Sequence, residues 1–169
     1  MSREAVYKGE VYLIADRIRS LHNVGSLFRS ADVFGVAKLY LCGYTGIPPR
    51  KEIAKVALGA ELTVPWEKRT QTWKLVEELQ EQGVQVVALE NISRTVLKYQ
   101  KGLSLKYRAI TDWIPKFPLA LIVGNEVSGV SRGVLARCDA IVHIPMLGQK
   151  ESLNVSVAAG IALYHLRYV

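Results

Sequence analysis

Leu119-Ala120-Leu121-Ile122-Val123-Gly124-Asn125-Glu126-Val127-Ser128-Gly129 sets the fold class. Its first five residues are all apolar, with no polar residue on either alternate face. Such a run suits a strand buried on both sides, as in a parallel sheet covered by helices. Gly124 stops the run and opens a polar segment. In open α/β sheets ligands bind beyond the carboxyl ends of the strands, where a glycine exposes backbone N–H and C=O groups. Read alone, residues 124–131 are also just a polar turn leading into a helix. They are not a dinucleotide fingerprint, because Glu126 stands where a second glycine is needed, and they lack the Gly-Lys-Ser/Thr ending of a P-loop.

Working outward, the same pattern repeats. Val11 to Ala15, Lys38 to Cys42, Val84 to Leu89 and Ala140 to Ile144 read as further strands, and a short one is expected near Tyr107 to Ile110. Between them, Asn23 to Phe34 reads as a helix, with Val24, Leu27, Phe28 and Ala31 as one apolar stripe and Asn23 as its N-cap. Thr70 to Gln82 reads as a second helix closed by Gly83. Ser152 to the C-terminus reads as the last. Strands alternating with helices predict an α/β fold, mostly parallel, with helices on both faces. The 169 residues suit a single domain, 1–169, with no internal repeat or linker.

Composition narrows the function. Half the residues are apolar, so the chain can build a core. No apolar run reaches the length of a membrane span, and Met1-Ser2-Arg3-Glu4 does not begin a signal peptide. Two cysteines, Cys42 and Cys138, make no disulfide framework; they read as small buried hydrophobes in a cytoplasmic protein. His22, His143 and His165 lack metal-ligand spacing, so no metal is assigned. Lys and Arg exceed Asp and Glu by 22 to 15, a net charge of +7, which favours a polyanionic partner such as nucleic acid.

Three clusters carry the chemistry. Asn23-Val24-Gly25-Ser26-Leu27-Phe28-Arg29-Ser30-Ala31 opens the first helix. Gly25 permits another backbone to approach there. Arg29 lies roughly 140° from Val24 around the helix, off the apolar stripe. The second cluster is Gly124 to Ser131. The third runs from Ile144-Pro145-Met146-Leu147-Gly148 into Ser152-Leu153-Asn154-Val155-Ser156-Val157-Ala158-Ala159. In it Ser152, Asn154 and Ser156 put polar groups at the start of an apolar helix.

Together these clusters resemble the motifs of the SpoU (TrmH-like) branch of the SPOUT methyltransferases. The first motif, Asn-x-Gly-x-x-x-Arg-Ser/Thr-Ala, is matched by Asn23, Gly25, Arg29, Ser30 and Ala31. Gly-x-Glu-x-x-Gly is matched by Gly124, Glu126 and Gly129. Ile-Pro-Met followed by Ser-Leu-Asn-Val-Ser-x-Ala is matched by Ile144 to Met146 and Ser152 to Ala158. The resemblance spans residues 23 to 158 and implies methyl transfer from S-adenosylmethionine to a ribose 2′-hydroxyl of RNA. It also implies a deep trefoil knot in the C-terminal third and a homodimer with the active site near the subunit interface. The final helix fits a dimer, being apolar around most of its circumference.

By matching position, Arg29 is the catalytic residue, with Asn23 and Asn154 positioning the ribose or the loops. Glu126 would orient Arg29 or a neighbouring loop, and Ser152 would hold the knot entrance. The cofactor would lie against Val123, Gly124, Asn125, Ile144, Met146, Ser152, Leu153 and Asn154. An arginine stays protonated at ordinary pH, so an electrostatic role fits Arg29 better than that of a general base. RNA contacts are expected from Arg17, Arg19 and Arg29, and from the basic stretch Ile92 to Arg108 through Arg94 and Lys98. With the first strand expected by Val11, no preceding RNA-binding domain is expected, and that expectation tilts the substrate slightly to tRNA over ribosomal RNA. Two other classes compete: a non-catalytic RNA-binding homologue, and a nucleotide-dependent oxidoreductase, which the missing Gly-x-Gly-x-x-Gly disfavours.

Overall fold

The structure, a computed structural model, describes residues 8–92, 101–150 and 152–169. Among the described residues seven strands form one sheet: β1 (Val11–Asp16), β2 (Lys38–Cys42), β3 (Trp66–Arg69), β4 (Gln85–Leu89), β5 (Tyr107–Ala109), β6 (Leu119–Val123) and β7 (Ala140–His143). Their order is β3-β2-β1-β6-β4-β7-β5, and every pairing is parallel. Among the described residues the helices are α1 (Leu21–Val33), α2 (Lys51–Ala57), α3 (Ala60–Thr63), α4 (Thr72–Glu81), α5 (Lys101–Lys106), α6 (Arg132–Arg137) and α7 (Val155–Tyr168).

Alternation along the central strands divides the core in two. Leu13, Leu39, Leu121 and Val142 face one layer, where α1, α2, α3 and α7 cover them through Leu27, Phe28, Ile53 and Leu163. Ile14, Tyr40, Ile122 and Ile141 face the other, under α4 and α6, through Leu75, Leu79 and Val134. β6 is buried along its whole length between β1 and β4, as its unbroken apolar run requires. Among the described residues, no helix is long and apolar enough to cross a membrane.

Several boundaries differ from the sequence reading, each for a visible reason. α1 starts at Leu21, and its N-cap is Ser20, not Asn23; the Ser20 hydroxyl accepts the Asn23 N–H at 3.3 Å, freeing the Asn23 amide for other work. α7 starts at Val155 because the Asn154 side chain takes the N–H groups of Ser156 (2.9 Å) and Val157 (3.4 Å). β3 was not expected: it is an edge strand of half-buried residues, three of them charged, so no hydrophobic pattern marks it. The short helices α2 and α3 hid in a turn-rich stretch, where Leu58 (φ 54°) and Gly59 (φ 94°) break one from the other.

Two buried polar residues brace this frame. The Thr45 hydroxyl, 2% exposed, accepts the Ile18 N–H at 2.9 Å and lies 2.7 Å from the Cys42 carbonyl, clamping the loops after β1 and β2. Arg167, in the last turn of α7, donates to the carbonyls of Phe34 (2.8 Å), Gly35 (2.7 Å) and Gly9 (2.6 Å). Both cysteines are buried and free, and burial pushes each thiol up to about 12, which makes them unreactive.

Candidate active site

The carboxyl ends of β4, β6 and β7 open into a cavity of about 420 Å³. Its walls are Leu89 to Asn91 after β4, Val123 to Val127 with Gly129 after β6, His143, Ile144 and Met146 after β7, and Ser152 to Val155 with Ala158 at the head of α7. The size suits a nucleoside-like ligand. All eight residues expected to bind a cofactor line it: Val123, Gly124, Asn125, Ile144, Met146, Ser152, Leu153 and Asn154.

The turn after β6 is built around two glycines. A Cβ on Gly124 would fall 2.3 Å from the Val130 nitrogen, and Gly129 sits at φ +66° with a would-be Cβ 2.3 Å from a Glu90 carboxylate oxygen. A side chain at position 124 would have to displace backbone, and one at position 129 would be strained by its φ and would displace the Glu90 carboxylate. Inside the turn, Asn125 Oδ1 accepts the N–H groups of Val127 (3.0 Å) and Ser128 (2.8 Å). Its Nδ2 then reaches the Arg17 carbonyl and the Tyr44 hydroxyl, both at 2.9 Å.

One chain of hydrogen bonds ties the three sequence clusters together. Asn23 Nδ2 donates to Glu126 Oε1 at 2.9 Å. Asn154 Nδ2 donates to Asn23 Oδ1 at 3.1 Å. Asn154 Oδ1 caps α7. A carboxylate only accepts, so Glu126 sets the orientation of the Asn23 amide, and that in turn sets Asn154. Glu126 also accepts the N–H groups of Arg19 (3.0 Å) and Ser20 (2.9 Å). Burial pushes its carboxyl up, but these backbone bonds and the Asn23 amide outweigh it, and it titrates below the usual carboxylate range. Of the two tasks expected of Glu126, holding the neighbouring loop is the one observed; no Glu126 bond to Arg29 occurs among the described residues.

The expected RNA contacts are sorted by the fold. Arg19 and Arg29 are exposed, and neither guanidinium is bonded among the described residues. Arg29 stands six residues beyond Asn23, about 9 Å along α1, and is not part of the cavity wall. Arg17 is different: its guanidinium donates to Asp16 at 3.2 Å and to the Gly129 carbonyl at 3.1 Å, so it braces the turn after β6. Arg94 and Lys98 lie outside the described residues. Within the same basic stretch, Lys106 donates to the carbonyls of Ala136 and Cys138, and Tyr107 stacks on His143 at 4.5 Å. Ser152 lines the cavity without a hydrogen bond among the described residues; Asn154 does the holding.

Sequence reasoning missed Glu90, Asn91 and His143 in the cavity wall. Glu90 directly follows β4, and that position at a carboxyl end was the available signal. Its two oxygens accept the N–H groups of Val130 (2.8 Å) and Asn91 (3.2 Å), and burial raises its carboxyl above the usual range. His143 Nδ1 is buried with no hydrogen-bond partner among the described residues. Among the described residues, no group of His, Cys, Asp and Glu is arranged to hold a metal ion.

A parallel sheet with this cavity and these linked motifs defines a class, and comparison with known proteins agrees. The SpoU rRNA Methylase family matches residues 10–164, and the chain belongs to that family. A 23S rRNA (guanosine-2'-O-)-methyltransferase, RlmB, of Ralstonia nicotianae is 36% identical over 152 residues, 90% of this chain and 56% of that protein. The AdoMet-bound rRNA methyltransferase of Sinorhizobium meliloti superposes with a TM-score of 0.80 at 27% identity, over 94% of this chain and 56% of that one. The A. aeolicus TrmH/SpoU tRNA modifying enzyme gives 0.79 at 29% identity, over 95% and 75%. The chain thus spans a little over half the length of the curated relatives it matches.

Proposed function

We propose that this protein transfers a methyl group from S-adenosylmethionine to a ribose 2′-hydroxyl of RNA. The observation that carries this reading is the Glu126–Asn23–Asn154 chain, which ties the first turn of α1 to two segments that line the cavity at the carboxyl ends of the strands. The cavity fits the cofactor in its chemistry. Two carboxylates and no lysine or arginine line it among the described residues, as a cationic ligand asks. The glycine turn leaves main chain close to the ligand, Met146 and Leu153 offer apolar cover, and His143 Nδ1 is an orphaned polar atom. When bound, S-adenosylmethionine supplies an electrophilic methyl on a positively charged sulfur.

The protein's own part is to bring the ribose and hold charge. Arg29 grips a phosphate beside the target ribose and stabilises the 2′-oxygen as its proton leaves to solvent. Glu126 is a poor base, since three donors already hold its ionised form. Arg19 adds a second cation at the head of α1. The protein acts as a homodimer: Val157 (50% exposed), Ile161 (42%), Tyr164 (54%) and Tyr168 (50%) form an apolar stripe along one face of α7. The deep knot belongs to the same reading, supported by β6 and β7 each lying between strands earlier in the chain. Pulled by its ends, a knotted chain reaches a shorter end-to-end extension than an unknotted chain of equal length.

The deciding experiment supplies labelled S-adenosylmethionine with bulk tRNA and, separately, ribosomal RNA, and locates the product by nucleoside mass spectrometry. A 2′-O-methyl nucleoside in tRNA is expected. Label in ribosomal RNA would move the substrate and keep the chemistry; RNA binding without label would overturn the enzyme. Calorimetry with S-adenosylmethionine and NAD excludes the oxidoreductase class if only the former binds.

A further inference from the structure

Glu90 is an acid that meets no lysine or arginine among the described residues. Its carboxylate lies in the cavity wall one residue beyond β4 and packs directly against the Gly129 turn. Two backbone N–H groups occupy part of it, from Val130 and Asn91. A carboxylate offers about four lone-pair sites, so two remain. No lysine or arginine pairs with it among the described residues, and none lines the cavity. The other acid in the wall, Glu126, is already taken by three donors. This negative spot occurs in a chain of net charge +7, so it does not follow from composition. A half-buried charge without a counter-charge is costly to the fold, and such groups cluster where a ligand supplies the missing partner.

We infer that Glu90 makes the cavity select the positively charged methyl donor over its neutral demethylated product. The inference rests on the cofactor assignment above. S-adenosylmethionine carries a sulfonium and an ammonium against one carboxylate, net +1; S-adenosylhomocysteine carries no sulfonium and is neutral overall. The two ligands differ only by the methyl group and its positive charge. Glu90 therefore attracts the donor, gains nothing from the product, and favours exchange of one for the other after each turnover.

Calorimetry with three ligands tests this: S-adenosylmethionine, S-adenosylhomocysteine, and sinefungin, a cationic analogue with an amine-bearing carbon in place of the sulfur. The wild type should bind both cations more tightly than the neutral product. Glu90→Gln, which keeps an acceptor for the Val130 N–H, should weaken both cations about tenfold, as a unit charge across several ångströms of partly buried space allows, and change S-adenosylhomocysteine less than twofold. Equal weakening of all three would mean that Glu90 only braces the turn, and no weakening would mean that its charge is not felt; either overturns the inference. The wild type alone gives a second test, independent of how the variant folds: S-adenosylhomocysteine binding as tightly as sinefungin overturns it. A wild type that binds none of the three overturns the cofactor assignment itself, and this inference with it.

Discussion

Single side chains in this site act by fixing one another. The amides of Asn23 and Asn154 could each turn either way in isolation; Glu126, which can only accept, removes that freedom. Glu126 is held below the usual carboxylate range, so its ionised form stabilises the fold at pH values above that range. This contribution is lost as pH falls through its lowered folded value. Glu126→Gln is accordingly expected to lower Tm at pH 7, with the difference from wild type shrinking as thermal melts are taken to pH 3. A difference constant with pH would mean that the charge does not matter. Arg29 is the opposite case, an exposed side chain with nothing among the described residues to restrain it. If it holds a phosphate and the developing 2′-oxyanion, Arg29→Ala should reduce kcat about 100-fold while the Kd for S-adenosylmethionine stays unchanged. Arg29→Lys should recover little of the loss, because an ammonium lacks the planar two-pronged donor; near-full turnover in that variant would remove bidentate geometry from the account.

At the scale of elements, α1 is the part on which most depends. It packs against α2 so closely that a Cβ on Gly25 would sit 2.6 Å from the Ile53 carbonyl oxygen and 2.9 Å from the Val56 Cβ. Gly25 was read as a point of close approach, and the approaching element is α2, which no periodicity had marked. Gly25→Ala must push α2 away at a cost of about 2 kcal/mol, roughly 6 °C in Tm by calorimetric melting. A variant that melts with the wild type would show that α2 yields freely. α7 has two faces: Ala159, Ala162, Leu163 and Leu166 are buried in the core, while Val157, Ile161, Tyr164 and Tyr168 stand exposed at helical spacing. In the proposed dimer a second copy covers this exposed face. Ile161→Arg should convert a dimer to a monomer in sedimentation equilibrium without lowering helix content. A wild type that sediments as a monomer would end the dimer proposal.

Across the whole molecule, charge and sheet order do different work. The excess of basic residues draws a polyanion, but the fold decides which cations are free to meet it. Arg17 reads as a phosphate contact in sequence and is a brace in space; Arg19 and Arg29 remain. Replacing both with Ala should flatten the salt dependence of RNA binding, lowering the slope of log K against log salt by about 1.5, at roughly 0.7 per phosphate contact on single strands. An unchanged slope would place the RNA elsewhere on the surface. Local sequence determined a great deal here: the central strands, the two helices of strong period, the three clusters and the loops that line the cavity, because continuous apolar runs and glycine-bounded turns are short-range signals. β3, α2 and α3 were illegible, since an edge strand of charged residues and seven- or four-residue helices carry too little pattern to separate from a loop. Only the tertiary structure decided that Asn23 faces Glu126, that Arg17 and Arg167 are held by main-chain carbonyls, and that Glu90 stands in the cavity wall with no cation beside it among the described residues. These pairings join residues up to 158 positions apart, and sequence periodicity carries no information about which distant polar groups a parallel sheet sets side by side.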